Sequence, residues 1–188
     1  MFQELNLSYV SNLTDSALHK LLSTPRDTRP GLLDKKSRLK MLRKLSVRNT
    51  EITDVSMRYI TQYLPQLSQL STAGCWKLSD AGLAQLADAA DTLSWLDISF
   101  CRAISDAGLT HLYKYVISSI FDIFIIIFLC RMSNLTRLDA NSTQISSDGL
   151  NKFVSKSKHK LKVYGKVVER KHSGRSSGGS SSRKKSSK

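Results

Sequence analysis

Four aspartates recur in one setting. Asp15, Asp54, Asp80 and Asp106 each follow a serine or threonine and precede Leu18, Met57, Leu83 and Leu109 by three residues. Repeated carboxylates could serve as general acids and bases or hold a divalent cation. Cys75, Cys101 and Cys130 could ligate zinc or oxidise, and His19, His111, His159 and His172 could ligate or shuttle protons. The cysteines and histidines share no ligand spacing, and three cysteines make no disulfide framework. The aspartates have a simpler use. An oxygen side chain at a helix start satisfies N–H groups that lack intrahelical partners, so all four are expected to be helix caps. Cys75 and Cys101 are expected in the core or its turn. No catalytic, cofactor-binding or metal-ligating residue is assigned.

The elements that carry these residues repeat as well. Leu67-Ser68-Gln69-Leu70-Ser71-Thr72-Ala73-Gly74-Cys75-Trp76-Lys77-Leu78-Ser79-Asp80-Ala81-Gly82-Leu83 matches Leu93 to Leu109 at an offset of 26 residues. Alternation puts Leu96 and Ile98 on one face of a short strand and Trp95, Asp97 and Ser99 on the other. Cys101 and Ile104 turn inward, and Leu109 with Leu112 gives the apolar stripe of a helix. This is a leucine-rich repeat, an α/β unit that buries its interior only by stacking on its neighbours. Other copies run through Phe2, Leu5, Leu7, Leu13 and Leu18, through Leu42, Leu45, Val47, Ile52 and Met57, and through Leu135, Leu138, Ala140, Ile145 and Leu150. The expected architecture is a solenoid of about five strand-turn-helix units over residues 1–170. No polar cap precedes the first copy, so the solenoid reads as N-terminally truncated.

Two segments depart from the register. Residues 23–40 carry Pro25, Pro30, Gly31 and dense charge, the composition of a solvated loop. Between the last two copies the offset lengthens to 42 residues, and the surplus of 17 is Tyr115 to Arg131, including the apolar run Ile123 to Cys130. A membrane span needs roughly 20 residues, and Asp122 interrupts this shorter segment. A genuine insertion has no place in the repeat register. A third reading is a translated intron: Lys114-Tyr115-Val116 can encode a splice donor, and Phe128-Leu129-Cys130-Arg131 a pyrimidine run ending in an acceptor. Its excision restores Lys114 followed by Met132 in frame.

The net charge of +14 lies mostly in one place, because 13 of the 29 Lys and Arg and one of the 15 acids follow Leu150. Leu161 to Tyr164 alternates as a last strand. Residues 171–188 contain almost nothing but Ser, Gly, Lys and Arg, a composition that buries nothing and is expected to be disordered. Within this tail, Arg183, Lys184 and Lys185 suit a nuclear import signal, a weak nucleic-acid phosphate contact or simple solubilisation. The N-terminus lacks the basic and apolar regions of a signal peptide. Three unpaired cysteines suit a reducing compartment.

The Ser/Thr-Asp-x-x-Leu turns and the cysteine-type copies resemble the repeats of F-box proteins. More narrowly, the chain is similar to the C-terminal repeats of the JmjC, CXXC-finger and F-box lysine demethylase family. That resemblance rests on Arg29-Pro30-Gly31, Asp34, Ser37 and Leu39, then Ile52-Thr53-Asp54, Ser56, Arg58, Ile60, Pro65, Leu67 and Leu70, and the ending Val163-Tyr164-Gly165-Lys166-Val167. It implies a whole protein that demethylates a histone lysine with iron and 2-oxoglutarate, binds CpG DNA and recruits a ubiquitin-ligase adaptor. The facial triad, the cysteine-rich finger and the F-box are not among these residues. The chain itself is therefore expected to be a non-enzymatic interaction scaffold in the nucleus, or alternatively in the cytoplasm, or the non-catalytic end of a demethylase.

The expected partner surface is the concave strand face, through Lys44, Arg48, Gln69, Trp95, Asp97, Arg137, Asp139 and Asn141. A large aromatic on an outward strand position suits an interface hot spot, although Trp95 could equally pack on its ladder neighbours. Trp76, in the turn, is expected to pack at the edge of the stack.

Overall fold

The Leu-x-x-Leu-x-Leu spacing becomes a stack of parallel strands, seen in a computed structural model that describes residues 3–23, 39–87, 92–116, 127–130, 134–157 and 161–165. In chain order the elements are β1 (Glu4–Asn6), α1 (Asp15–Leu22), β2 (Lys44–Ser46), α2 (Asp54–Tyr63), β3 (Gln69–Ser71), α3 (Asp80–Ala87), β4 (Trp95–Asp97) and α4 (Asp106–Leu112). They continue with β5 (Tyr113–Val116), β6 (Ile127–Cys130), β7 (Arg137–Asp139), α5 (Ser147–Lys156) and β8 (Lys162–Tyr164).

Six strands form one sheet in the order β1-β2-β3-β4-β7-β8. Every pair is parallel and the register keeps the repeats level, with Leu5 beside Leu45, then Leu70, Leu96, Leu138 and Val163. These central leucines point inward, and Leu70, Leu96 and Leu138 are fully covered. The short alternating run near the C-terminus does close the stack as β8. Behind the sheet lie the helices, whose apolar stripes supply Leu18, Leu22, Met57, Ile60, Leu83, Leu86, Leu109, Leu112 and Phe153 to one continuous core. Interior apolar burial at roughly 25 cal/mol per Å² is the main stabilising term.

At the end of each strand the chain turns through a left-handed residue at the same repeat position: Tyr9, Asn49, Gly74, Phe100 and Ser142, with φ between 52° and 76°. The turn is fixed by the stack, because only one of the five is glycine and a left-handed conformation costs an L-residue about 1–2 kcal/mol. The next position is the exposed Val10 in the first copy and faces inward in the other four. Thr50 and Thr143 donate their hydroxyls to Val47 O and Ala140 O in their own turns, at 2.8 and 3.1 Å. The thiols of Cys75 and Cys101 reach across to the preceding repeat instead, donating to Val47 O and Thr72 O at 3.1 and 3.3 Å. Burial pushes the Cys75 thiol up, and burial with the neighbouring Cys75 pushes Cys101 up to about 12. Both are buried free thiols with core roles.

The aspartates do something other than cap their own helices. Thr14, Thr53 and Ser146 are the capping residues, accepting from Ala17 N, Val55 N and Gly149 N. Each aspartate, one residue later, points into the next repeat. Asp54 accepts from Ser79 N and Ser79 Oγ at 2.8 and 2.6 Å, Asp80 from Ser105 at 2.8 and 2.7 Å, and Asp106 from Ser146 at 2.7 and 2.6 Å. Asp15 does the same to Thr53, at 2.8 and 2.7 Å, and also accepts from Ser56 Oγ. The carboxylates are clamps between repeats, each fastening the cap of the following helix.

The long offset before the last copy leaves the sheet untouched, since β4 pairs directly with β7. Its ends form a separate antiparallel pair, β5 with β6, in which Tyr113 faces Cys130 and Val116 faces Ile127. Residues 117–126 and 131 of the apolar segment lie outside the described residues, as do 24–38 of the expected loop and the whole of the expected disordered tail 171–188, including Arg183, Lys184 and Lys185. Among the described residues, no helix is long and apolar enough to cross a membrane.

Candidate functional site

The outward positions of β2, β3, β4 and β7 carry the side chains that strand alternation assigns to a partner surface. They divide into two groups. Lys44, Arg48, Gln69 and Trp95 line an open groove of about 300 Å³, together with Glu4, Leu5, Asn6, Leu45, Ser46 and Ser71. Asp97, Arg137, Asp139 and Asn141 lie outside that lining and are bonded to one another's neighbourhood.

In the second group, Asp139 is the hub. Its carboxylate accepts from Trp95 Nε1 at 2.9 Å and from Arg137 Nε at 3.1 Å, and it forms an ion pair with Arg137 at 3.0 Å. The Arg137 guanidinium lies over the Trp95 ring at 5.6 Å and the Tyr164 ring at 4.7 Å. Hydrogen bonding to Asp139 raises the Arg137 pKa further above its already high value. On the adjacent strand, Asp97 accepts from Ser71 Oγ at 2.9 Å and from Ser99 N at 3.1 Å. Asn141 is held through its backbone, donating to Ser99 Oγ and accepting from Phe100 N. Asp97 and Asp139 are buried despite standing on the outward side of the sheet. Sequence alternation assigns their direction correctly, but it does not show that their oxygens are already committed.

Trp95 packs on its ladder neighbours and also forms one wall of the groove. Trp76 is a correction. It is 62% exposed, with Lys77 Nζ 4.8 Å from its ring, and it does not pack at the edge of the stack. Its turn projects outward while the preceding cysteine takes the inward place.

No protein-family model matches the chain. Over 92 residues it is 34% identical to lysine-specific demethylase 2B of Mus musculus. That stretch is 49% of this chain and 7% of the demethylase, so the chain spans a small part of that relative's length. A chain in the crystal structure of the Rad7 and Elc1 complex in yeast superposes with a TM-score of 0.57 at 16% identity, covering 87% of this chain and 32% of that one. This second likeness shows the fold: an α/β stack of leucine-rich repeats.

In the open half of the outward face, charge is unevenly satisfied. Lys44 pairs with Glu4 at 2.5 Å. Both ends are largely exposed, so this pair contributes little to stability. Ser46 and Ser8 share a hydroxyl bond at 2.8 Å, and Asn6 Oδ1 accepts from Ser8 N. Among the described residues, the Arg48 guanidinium and the Gln69 amide have no hydrogen-bond or ionic partner. Among the same residues, no group of three or more His, Cys, Asp or Glu side chains is arranged to hold a metal ion.

Proposed function

We propose that this chain is a protein-protein interaction scaffold, the non-catalytic repeat module of an F-box-type ubiquitin-ligase or chromatin-modifying protein. A partner protein is bound on the concave strand face. The likeness to lysine-specific demethylase 2B carries the proposal, because it extends over 92 residues of a chain whose described part is a repeat stack with an open groove on its strand face. The module needs no cofactor of its own, and its chemistry is surface complementarity. The same likeness favours a second reading, in which the chain is the C-terminal fragment of a histone lysine demethylase whose catalytic domain is missing from this chain.

The working compartment is the nucleus in both readings, with Arg183, Lys184 and Lys185 as the import signal and a weak nucleic-acid contact. The alternative compartment is the cytoplasm. A photo-cross-linking residue at Gln69, on the groove, is expected to capture a partner in cells, whereas one at the exposed Arg58 of α2 is not. Equal capture from both positions overturns the assignment of the face. The two parent proteins separate at the transcript upstream of Met1, which encodes an F-box alone in the first reading and an F-box with a zinc finger and JmjC domain in the second.

A further inference from the structure

Among the described residues the outward face holds four cations, Lys44, Arg48, Arg137 and Lys162, of which Lys44 and Arg48 line the groove. Two are already answered by carboxylates, Lys44 by Glu4 and Arg137 by Asp139. Arg48 is exposed and, among the described residues, has no anionic partner. At the other end of the same groove, Gln69 is half-buried with its amide unbonded. Lys44 pairs in register with Gln69, and the ladder continues through Val47 N to Ser71 O and Asn49 N to Ala73 O. Arg48 is therefore four residues along the strand direction from Gln69, roughly 13 Å at 3.3 Å per residue. An extended segment of about four residues spans that separation.

We propose that the groove binds an acidic, extended segment of a partner protein. A Glu or Asp carboxylate of that segment sits on the Arg48 guanidinium, and its main chain bonds the Gln69 amide. The inference rests on reading this face as the partner surface and adds the chemistry of its occupant. Guanidinium and carboxylate form paired N–H···O bonds with a planar match that an amide ligand cannot reproduce. Trp95 stands at the far wall, held by Asp139, so it offers a rigid apolar flank with little side-chain entropy to lose. The committed half of the face excludes the opposite charge pattern. A basic segment, including the chain's own tail, would meet Arg48 with its like charge, while Asp97 and Asp139 already have their donors.

The test uses the full chain and an oriented library of eight-residue peptides with Glu, Gln, Lys or phosphoserine fixed at the centre. Retained peptides are sequenced for the parent, for Arg48→Glu, and for the tail variant Arg183→Glu/Lys184→Glu/Lys185→Glu. The parent is expected to enrich central Glu over Gln about tenfold. Arg48→Glu should abolish that enrichment with an unchanged thermal melt, and the tail variant should keep it. Preference for phosphoserine identifies a phosphopeptide and overturns the carboxylate assignment. Preference for Lys, a Glu preference that survives Arg48→Glu, or one lost only in the tail variant also overturns the proposal. If Gln69 still cross-links a partner in cells while Arg48→Glu changes nothing, the scaffold reading stands and only the acidic occupant falls.

Discussion

At the scale of single residues, the Asp-Ala-Gly-Leu motif is an arrangement for bringing a carboxylate across a repeat boundary. The glycine leaves the space the clamp needs: a Cβ on Gly108 would collide with Asp80 Oδ1, and Gly82 and Gly149 stand in the same relation to Asp54 and Asp106. Where the equivalent residue is Ser56, its hydroxyl joins the clamp of Asp15. Gly108→Ala should therefore destabilise the fold by about 1–3 kcal/mol. The helix-propensity gain of about 1 kcal/mol is outweighed by loss of bonds to a charged acceptor, each worth about 1.5–3 kcal/mol. With Asp80→Ala already in place the loss should shrink, because only Leu83 Cδ1, 3.1 Å from the added Cβ, still opposes the propensity gain. Urea unfolding of the four-variant cycle measures this, and equal effects in both backgrounds would refute the clamp. Asp15 gives a pH test. Burial raises its pKa, but bonds from Ser56 and Thr53 outweigh that and hold it below the ordinary carboxylate value of 3.8. A group lowered in the folded state contributes stability above its unfolded pKa and loses it as pH falls through the folded value. The difference between the parent and Asp15→Asn in the free energy of opening α1, read by hydrogen exchange, should be constant from pH 7 to about 5 and shrink below about 4. The recurrence of these aspartates is legible in sequence, since their spacing matches helix starts. Which helix receives each carboxylate is not legible, because capping within a repeat and clamping between repeats produce the same periodic pattern. Arg48 and Arg137 show the same gap: both read as outward cations, and only the Asp139 contact distinguishes the occupied one.

At the scale of elements, the leucines that alternation assigns to the interior of β2, β3, β4 and β7 are buried, and a period of two then leaves Lys44, Gln69, Trp95 and Arg137 the other face. The apolar segment after α4 is harder to read. Its composition alone suits a span, a core strand or a translated intron, since hydrophobic runs carry no register of their own. The sheet passes over it, and β5 pairs only with β6 rather than with the repeats. Deleting residues 115–131, which joins Lys114 to Met132, should therefore leave the six-stranded stack intact. Far-ultraviolet circular dichroism should keep its shape, and the thermal midpoint should be equal to or higher than that of the parent. A deletion variant that fails to fold, or melts more than about 5 °C lower, would show that the segment supports the stack. Its full set of turns, by contrast, was not readable from residue types. Four of the five left-handed positions are Tyr9, Asn49, Phe100 and Ser142, and two of those are aromatic.

At the scale of the molecule, each repeat touches its sequence neighbours, so stability is a sum of unit and interface terms, not the property of a single closed core. The clamps sit at those interfaces, one for each of Asp15, Asp54, Asp80 and Asp106. Position along the stack should then decide what removal of a clamp does. Asp80 and Ser105 join the third and fourth units, with two repeats before them and one repeat plus β8 after. Asp80→Ala should weaken the link between two stretches that can each retain partial order, lowering the slope of the urea transition as well as its midpoint. Asp15 joins only the first unit to the rest. Asp15→Ala should open α1 locally, leaving the main transition nearly unchanged, because fraying an end exposes one interface. Hydrogen exchange by mass spectrometry separates the two cases. Protection should fall across α3 and α4 together in Asp80→Ala, and in α1 alone in Asp15→Ala. Uniform loss of protection in both variants would mean that the repeats unfold as one unit, and that a clamp at the end of the stack governs its centre as strongly as a clamp in the middle.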